Sequence, residues 1–267
     1  MVPLLESAAM AAADAVYALL PRPCPPREQL DRCRLIAHRG AHDGRALVEN
    51  TLPAFDAARA GGVWGIETDL RWTRDLEPVL LHDADGARLF GEATRAAEVT
   101  AAQLRDRLPA VPTLAAVVQR YTPQMHLMLE IKAEPYPDAA RQQARLMELL
   151  QHLQPGRDYH LMALDPGLFR LFPDVPAHAM IPIARLNVAA TSRLALARGY
   201  AGIAGHYALV RRRIIHHHAC AGQAVGVGFP ASRFALYREI ARDVRWIYSD
   251  RAVELQRMVR GALETAP

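Results

Sequence analysis

Short, nearly unbroken apolar runs alternate along this chain with longer stretches whose apolar positions recur at helical spacing. The runs predict strands at Leu35–Ala37, Gly65–Leu70, Met125–Ile131, His160–Leu164, His178–Pro182, Gly202–Ala204, Ala224–Val227 and Trp246–Tyr248. A further extended run covers Pro78–His82. The helical stretches are Thr51–Ala60, Thr113–Tyr121, Pro137–Leu153, Thr191–Arg198, Leu209–Ala221, Ser232–Asp243 and Asp250–Leu263. An N-terminal helix is expected from Glu6 to Leu20, before a proline-rich spacer at Pro21–Pro26.

Strands that alternate with helices pair in parallel through right-handed crossovers. Eight such units predict an α/β fold, a (β/α)8 TIM barrel, and the 267 residues suit one barrel of the usual size. Residues 1–30 are read as a helical and proline-rich lead-in, and 31–267 as the barrel domain. A small excursion, Asp85–Gln124, is expected above the barrel after its second strand, and the N-terminal helix is expected to close the bottom.

Composition narrows the partners. Hydrophobic residues at 51% and charged ones at 22% describe a globular chain and exclude disordered or fibrous classes. The net charge of +4 is spread along the chain, without the basic stripe of a nucleic-acid binder. No run is long enough for a membrane span, and Glu6 and Asp14 interrupt the apolar N-terminus, which lacks the basic start of a signal peptide. Three cysteines, Cys24, Cys33 and Cys220, read as free thiols, so a cytoplasmic location is expected. Of the 32 basic side chains only Lys132 is a lysine, a compact ammonium among planar guanidinium groups.

The chemistry lies where strands end in polar residues, since the C-terminal strand ends carry the reactive groups of such a barrel. Leu35–Ala37 leads into His38-Arg39-Gly40, an acid/base group beside a donor for a phosphate-sized anion. In Glu67-Thr68-Asp69 the two-residue period of a strand turns both carboxylates to one face, and the same period pairs Glu130 with Lys132. Neighbouring buried carboxylates need a proton, a basic partner or a metal, and an all-oxygen donor set favours Ca2+ or Mg2+. His82 ends another apolar run, so the chain offers two imidazoles, one for a base and one for an acid. Together these groups suit phosphoryl chemistry at a divalent cation. By contrast, Arg211-Arg212-Arg213 and His216-His217-His218 read as a solvated helix end.

His38-Arg39-Gly40, Glu49-Asn50-Thr51-Leu52-Pro53-Ala54-Phe55, Glu67-Thr68-Asp69, His82-Asp83 and Glu130-Ile131-Lys132 resemble the glycerophosphodiester phosphodiesterase family in order and spacing. The resemblance implies a TIM barrel that hydrolyses a small-molecule glycerophosphodiester to an alcohol and glycerol 3-phosphate. It implies Glu67, Asp69 and Glu130 as ligands of one Ca2+ or Mg2+, His38 and His82 as the acid/base pair, and Arg39 and Lys132 as phosphate ligands. Glu49 is expected to brace Arg39 or the metal shell. The chain departs from the family's pattern mainly in its second half: Val48 and Asp75-Leu76, then Ala163-Leu164, Val227-Gly228-Phe229-Pro230 and Ser249-Asp250. These positions lie at the substrate mouth, where Phe229 and Tyr207 are expected as an apolar wall. Two further readings are a lysophospholipase D-like lipid phosphodiesterase and a barrel that binds a phosphodiester without turning it over. The oligomeric state is left open.

Overall fold

A computed structural model describes residues 13–265. Its strands are β1 (Arg34–His38), β2 (Gly65–Trp72), β3 (Pro78–Leu80), β4 (Asp85–Gly86), β5 (Glu92–Arg95), β6 (His126–Ile131), β7 (Tyr159–Ala163), β8 (Met180–Ala184), β9 (Gly202–His206), β10 (Ala224–Gly228) and β11 (Trp246–Ser249). Eight of them close a parallel barrel in the order β1, β2, β6, β7, β8, β9, β10, β11 and back to β1. The fold is a (β/α)8 barrel. Its eight strands match the eight apolar runs, because strands covered on both faces must be apolar almost throughout.

Side chains alternate across the barrel wall. Leu127, Leu129 and Ile131 of β6 face outward into the layer beneath the helices, with Leu114, Val117 and Tyr121 of the helix Leu114–Tyr121. Ile36, Met128, Met162, Ile181, Ala204, Trp246 and Tyr248 fill the interior. Gly226 makes room there: a Cβ at this position would lie 2.7 Å from the Tyr248 ring.

The excursion after the second strand is narrower than the expected Asp85–Gln124. β2 first turns back on itself, pairing antiparallel with β3. Leu76 takes a positive φ of 65° in the turn between them, a conformation that favours glycine. The β4–β5 hairpin and the helix Ala101–Arg107 then form a satellite core with Leu81, Leu104 and Leu108. Leu114–Tyr121 belongs to the barrel wall, because its apolar face packs on β6.

The N-terminal end of the barrel is closed by rings. Trp64 stacks on His126 at 4.2 Å, His126 Nε2 lies 2.8 Å from His160 Nδ1, and Trp246 meets His160 edge-on. Burial holds both imidazoles neutral, lowering His126 to about 4 and His160 to about 3. Because these folded values lie below the ordinary 6.5, the unfolded chain takes up the protons first. Stability is full above about pH 6.5 and falls as the pH drops toward 4, by roughly 2 kcal/mol per pH unit for the pair. Urea midpoints read from tryptophan fluorescence should show this slope. A His160→Asn variant that keeps it would remove the explanation.

The expected N-terminal helix is corrected in position. Glu6–Ala12 lies outside the described residues, but the helical segment 13–18 sits at the C-terminal mouth of the barrel and not at its bottom. Asp14 Oδ1 accepts from the Ala231 backbone N–H at 3.1 Å and from the Tyr207 hydroxyl at 3.3 Å, and Tyr17 packs on Tyr207. The opposite end is already filled by the ring stack and by Leu30 of the helix Arg27–Arg32, so only the mouth offers partners. Among the described residues no helix is long and apolar enough to cross a membrane.

Candidate active site

Strand register assembles the site. His38 is paired with Glu67 across β1 and β2, and Asp69 with Glu130 across β2 and β6. The three carboxylates therefore meet inside the mouth, with one oxygen from each within 4.8 Å of the others. Lys132, at the end of β6, reaches back between them: Nζ lies 2.6 Å from Asp69 Oδ1 and 2.7 Å from Glu130 Oε1.

Arg39 and Asn50 both adopt left-handed φ angles, 54° and 56°, a strain of about 1–3 kcal/mol each that the surroundings must hold. They are held to each other, the Asn50 backbone N–H donating to the Arg39 carbonyl at 2.9 Å. The Arg39 backbone N–H donates to Glu67 Oε2 at 3.2 Å, and its side chain spans Glu49 at 2.9 Å and Asp69 at 3.1 Å. Asn50 Nδ2 donates to Asp69 Oδ2 at 2.8 Å, while its Oδ1 accepts from the Thr68 hydroxyl at 2.6 Å.

Each histidine is tied at Nδ1 to a carboxylate: His38 to Asp250 at 2.7 Å and His82 to Asp83 at 2.8 Å. This leaves Nε2 of each ring for proton traffic, and His38 Nε2 faces Glu67 at 3.8 Å. Burial works against a charged His38, but Glu67 and Asp250 outweigh it and raise its pKa. At His82 burial, helped by Lys132 and Arg39, prevails over Asp69 and lowers the pKa.

The carboxylates split in the same way. Asp69 resists burial through Lys132 and Arg39 and stays well below the usual carboxylate range, whereas burial and the Asp69 charge push Glu67 far up. Among the described residues the three carboxylates share Lys132 and Arg39 as their permanently charged neighbours, with the His38 ring 3.8 Å from Glu67, and Arg39 is also engaged by Glu49. A surplus of negative charge on convergent hard oxygens suits a divalent cation, so Glu67, Asp69 and Glu130 fit one.

The model of the glycerophosphoryl diester phosphodiesterase family matches residues 38–165, the segment that carries every group above except Asp250. Glycerophosphodiester phosphodiesterase 1 of Bos taurus is 34% identical over 121 residues, 40% of this chain and 36% of the relative. The chain matches only about a third of the length of such curated relatives. A crystal structure of glycerophosphodiester phosphodiesterase from Agrobacterium tumefaciens is 26% identical, with a TM-score of 0.70, over 86% of this chain and 99% of that one. Over residues 38–165, just under half of the chain, the sequence is similar to the glycerophosphoryl diester phosphodiesterase family. A likeness of fold extends to an Oleispira antarctica phosphodiesterase solved with its product sn-glycerol-3-phosphate, at 21% identity and a TM-score of 0.67 over 87% of this chain and 97% of that one.

Like the sequence motifs of the family, the eight expected residues converge. His38, Arg39, Glu67, His82, Glu130 and Lys132 line one cavity of about 540 Å³, with Asp69 beneath them and Glu49 behind Arg39. Beyond Glu49, which does brace Arg39, the supporting residues carry no sequence signal. Arg88 donates to Asp83 at 2.5 Å and to Glu49 at 2.7 Å, so a residue of the excursion braces both the His82 and the Arg39 sides. Arg71 clamps the His82 carbonyl at 2.6 Å and is held by Glu134. Asp250 was visible only as a fragment of the last family motif, and its partner lies 212 residues away. No local pattern announces such a pair.

Two expectations at the mouth part company. Phe229 lines the cavity and packs on His38, with ring centroids 4.5 Å apart. Tyr207 does not line it: the ring is fully buried beneath the N-terminal segment, because its hydroxyl is drawn to Asp14. The triple-histidine helix Arg212–Cys220 also divides. His216 and His217 are exposed, whereas His218 is a buried core residue between Ser192 at 2.9 Å and Gln223 at 2.7 Å.

Proposed function

We propose that this chain is a metal-dependent phosphodiester hydrolase that cleaves glycerophosphodiesters to an alcohol and glycerol 3-phosphate. The observation that carries the reading is the meeting of two carboxylate-tied imidazoles with a three-carboxylate cluster and two cations at one cavity. Arg39 and Lys132 are the phosphate ligands: each swings from its carboxylate partners to the incoming oxygens and spreads the charge that develops there. One imidazole takes the proton of the attacking hydroxyl, from water or from the glycerol 2-hydroxyl, in which case water then opens the cyclic phosphate so formed to glycerol 3-phosphate. As the new P–O bond forms and the P–O bond to the alcohol breaks, the other imidazole gives its proton to the departing oxygen. Asp250 and Asp83 fix the two rings so that Nε2 performs each transfer. Glu67, Asp69 and Glu130 would hold one Ca2+ or Mg2+, which would supply Lewis-acid polarisation of the phosphate when bound. A barrel that only binds its phosphodiester would not need two tethered imidazoles, which favours turnover over that reading.

Chelator-stripped protein should release glycerol 3-phosphate from glycerophosphocholine or glycerophosphoethanolamine only after Ca2+ or Mg2+ is restored. Calorimetry should find one cation bound per chain, and none in a Glu67→Gln/Glu130→Gln double variant that remains folded. Undiminished release after chelation would refute the metal assignment.

A further inference from the structure

A second cavity, of about 440 Å³, opens beside the loop that follows β9; it shares Ala208 with the catalytic cavity and none of the catalytic groups. Five arginines line it: Arg22, Arg211, Arg212, Arg238 and Arg242. No acidic side chain does. The run Arg211-Arg212-Arg213, which by its sequence is a solvated helix end, is divided by the structure: Arg211 and Arg212 line this hollow and Arg213 does not.

Arginines that are merely solvated splay apart into water. Here two of the five are anchored. Glu239, fully buried on the helix Arg233–Ile240, accepts from Arg238 and holds Arg242 at 2.7 Å. Arg242 is itself only 9% exposed, and it also donates to the Val210 carbonyl. The Arg238 guanidinium lies over the Tyr17 ring, 4.5 Å from its centroid. Both planar forks are thus fixed before any ligand arrives. Glu239 offsets one charge of the five, so the hollow keeps a surplus of four positive charges. Burial, with Arg238 and Arg212 alongside, draws the Arg242 pKa down in spite of Glu239, the mark of like charges crowded without enough anion. The helix Arg212–Cys220 starts at the same hollow, and no side chain caps its first N–H groups. A cleft lined by one sign of charge, with walls of low dielectric, concentrates counter-ions.

We propose that this hollow is a second anion site, built for a small soluble compound that carries two or more phosphoryl groups. Guanidinium forks grip phosphate oxygens in bidentate pairs, and a single orthophosphate cannot meet five of them. The surplus of charge suits a diphosphate or longer, and the volume falls within the ~300–1,000 Å³ usual for small-molecule sites. A flat lipid surface fits poorly, because Arg242 stands too deep to reach it. The site is independent of the hydrolytic reading, which uses none of the five arginines.

The test is calorimetry with inorganic pyrophosphate on the full chain, stripped of metal and at low salt. Without a cation the three carboxylates of the catalytic cavity repel anions, so the heat reports the arginine hollow. One pyrophosphate should bind per chain, with orthophosphate at least ~10-fold weaker because it engages fewer forks. An Arg22→Gln/Arg211→Gln/Arg212→Gln variant leaves the Arg238–Glu239–Arg242 cluster whole and should stay folded by circular dichroism. Its affinity for pyrophosphate should fall at least ~100-fold, since each hydrogen bond to a charged group is worth roughly tenfold or more. Arg22→Lys/Arg211→Lys/Arg212→Lys keeps the charge but loses three forks, and should bind between the two. Native protein that ignores pyrophosphate, or a glutamine variant that binds it as tightly, overturns the proposal. A lysine variant equal to the native chain does so too, by reducing the hollow to diffuse charge. Sedimentation with phosphatidylglycerol vesicles that pyrophosphate fails to compete away would make the arginines a membrane face and overturn it likewise.

Discussion

His38→Ala is expected to lower kcat for glycerophosphodiester hydrolysis about 10²–10⁴-fold, the usual worth of a positioned acid or base. The loss should appear in the chemical step, because the residues proposed to hold the metal and the phosphate are others. His38 touches Glu67 only at 3.8 Å, so removing the ring leaves the carboxylate cluster with its closer partners Lys132 and Arg39. Cation binding and the melting temperature should therefore change little. Asp250→Asn separates positioning from chemistry. Asp250 Oδ1 holds His38 Nδ1 at 2.7 Å and also lies 3.6 Å from His42 Nε2 in the loop that follows. The amide can offer its NH2 to Nδ1 and stabilise the wrong tautomer, as an asparagine does in place of a triad aspartate. A loss of about 10–10³-fold in kcat with little change in KM is expected. Equal losses of kcat and thermal stability would instead mark Asp250 as merely structural, and full activity of His38→Ala would end the acid/base assignment.

The second large effect belongs to Lys132→Met. Its side chain is 10% exposed and its ammonium bridges Asp69 and Glu130, so the variant leaves three convergent carboxylates with Arg39 as the nearest remaining permanent cation. Breaking a buried ion pair by removing one partner costs about 3–5 kcal/mol, because the other charge is left uncompensated. The same surplus of charge should make the variant depend on an added cation. Ca2+ or Mg2+ should raise its melting temperature more than that of the native chain, by a linkage term that grows with the logarithm of the ion concentration. Turnover should remain low even with the ion present, since the ammonium would also be missing from the phosphate. A variant as stable as the native chain, with or without the ion, would show that Lys132 does not compensate the cluster.

The supporting layer explains why the site tolerates so much strain and charge. Arg88 sits on the short helix Ala87–Phe90 of the excursion, yet it reaches Glu49 and Asp83, each of which holds a group at the cavity. The excursion is thereby tied to the mouth by ion pairs as well as by its own small core. Its position over the second strand is fixed from below by Arg71, which gathers the Leu81 and His82 carbonyls at 3.2 and 3.1 Å through Nε.

The sequence alone determined the barrel, because eight strands buried on both faces write themselves as apolar runs, and a two-residue period fixes which carboxylates share a face. It also marked eight candidate side chains in compact local motifs on or near the barrel strands, and the structure brings these eight together. What it did not determine were contacts between residues distant in the chain. Asp250 meets His38 only when β11 closes against β1, Arg88 meets Glu49 only when the excursion folds back, and segment 13–18 chooses the mouth only because Tyr207 and Ala231 are presented there. The leucines at the mouth belong to the same class. Leu164, Leu186 and Leu209 follow three different strands, and each is an ordinary loop residue until barrel closure sets them around one cavity opposite the charged groups. Periodicity encodes which face a residue takes; only closure of the sheet decides which residues face one another.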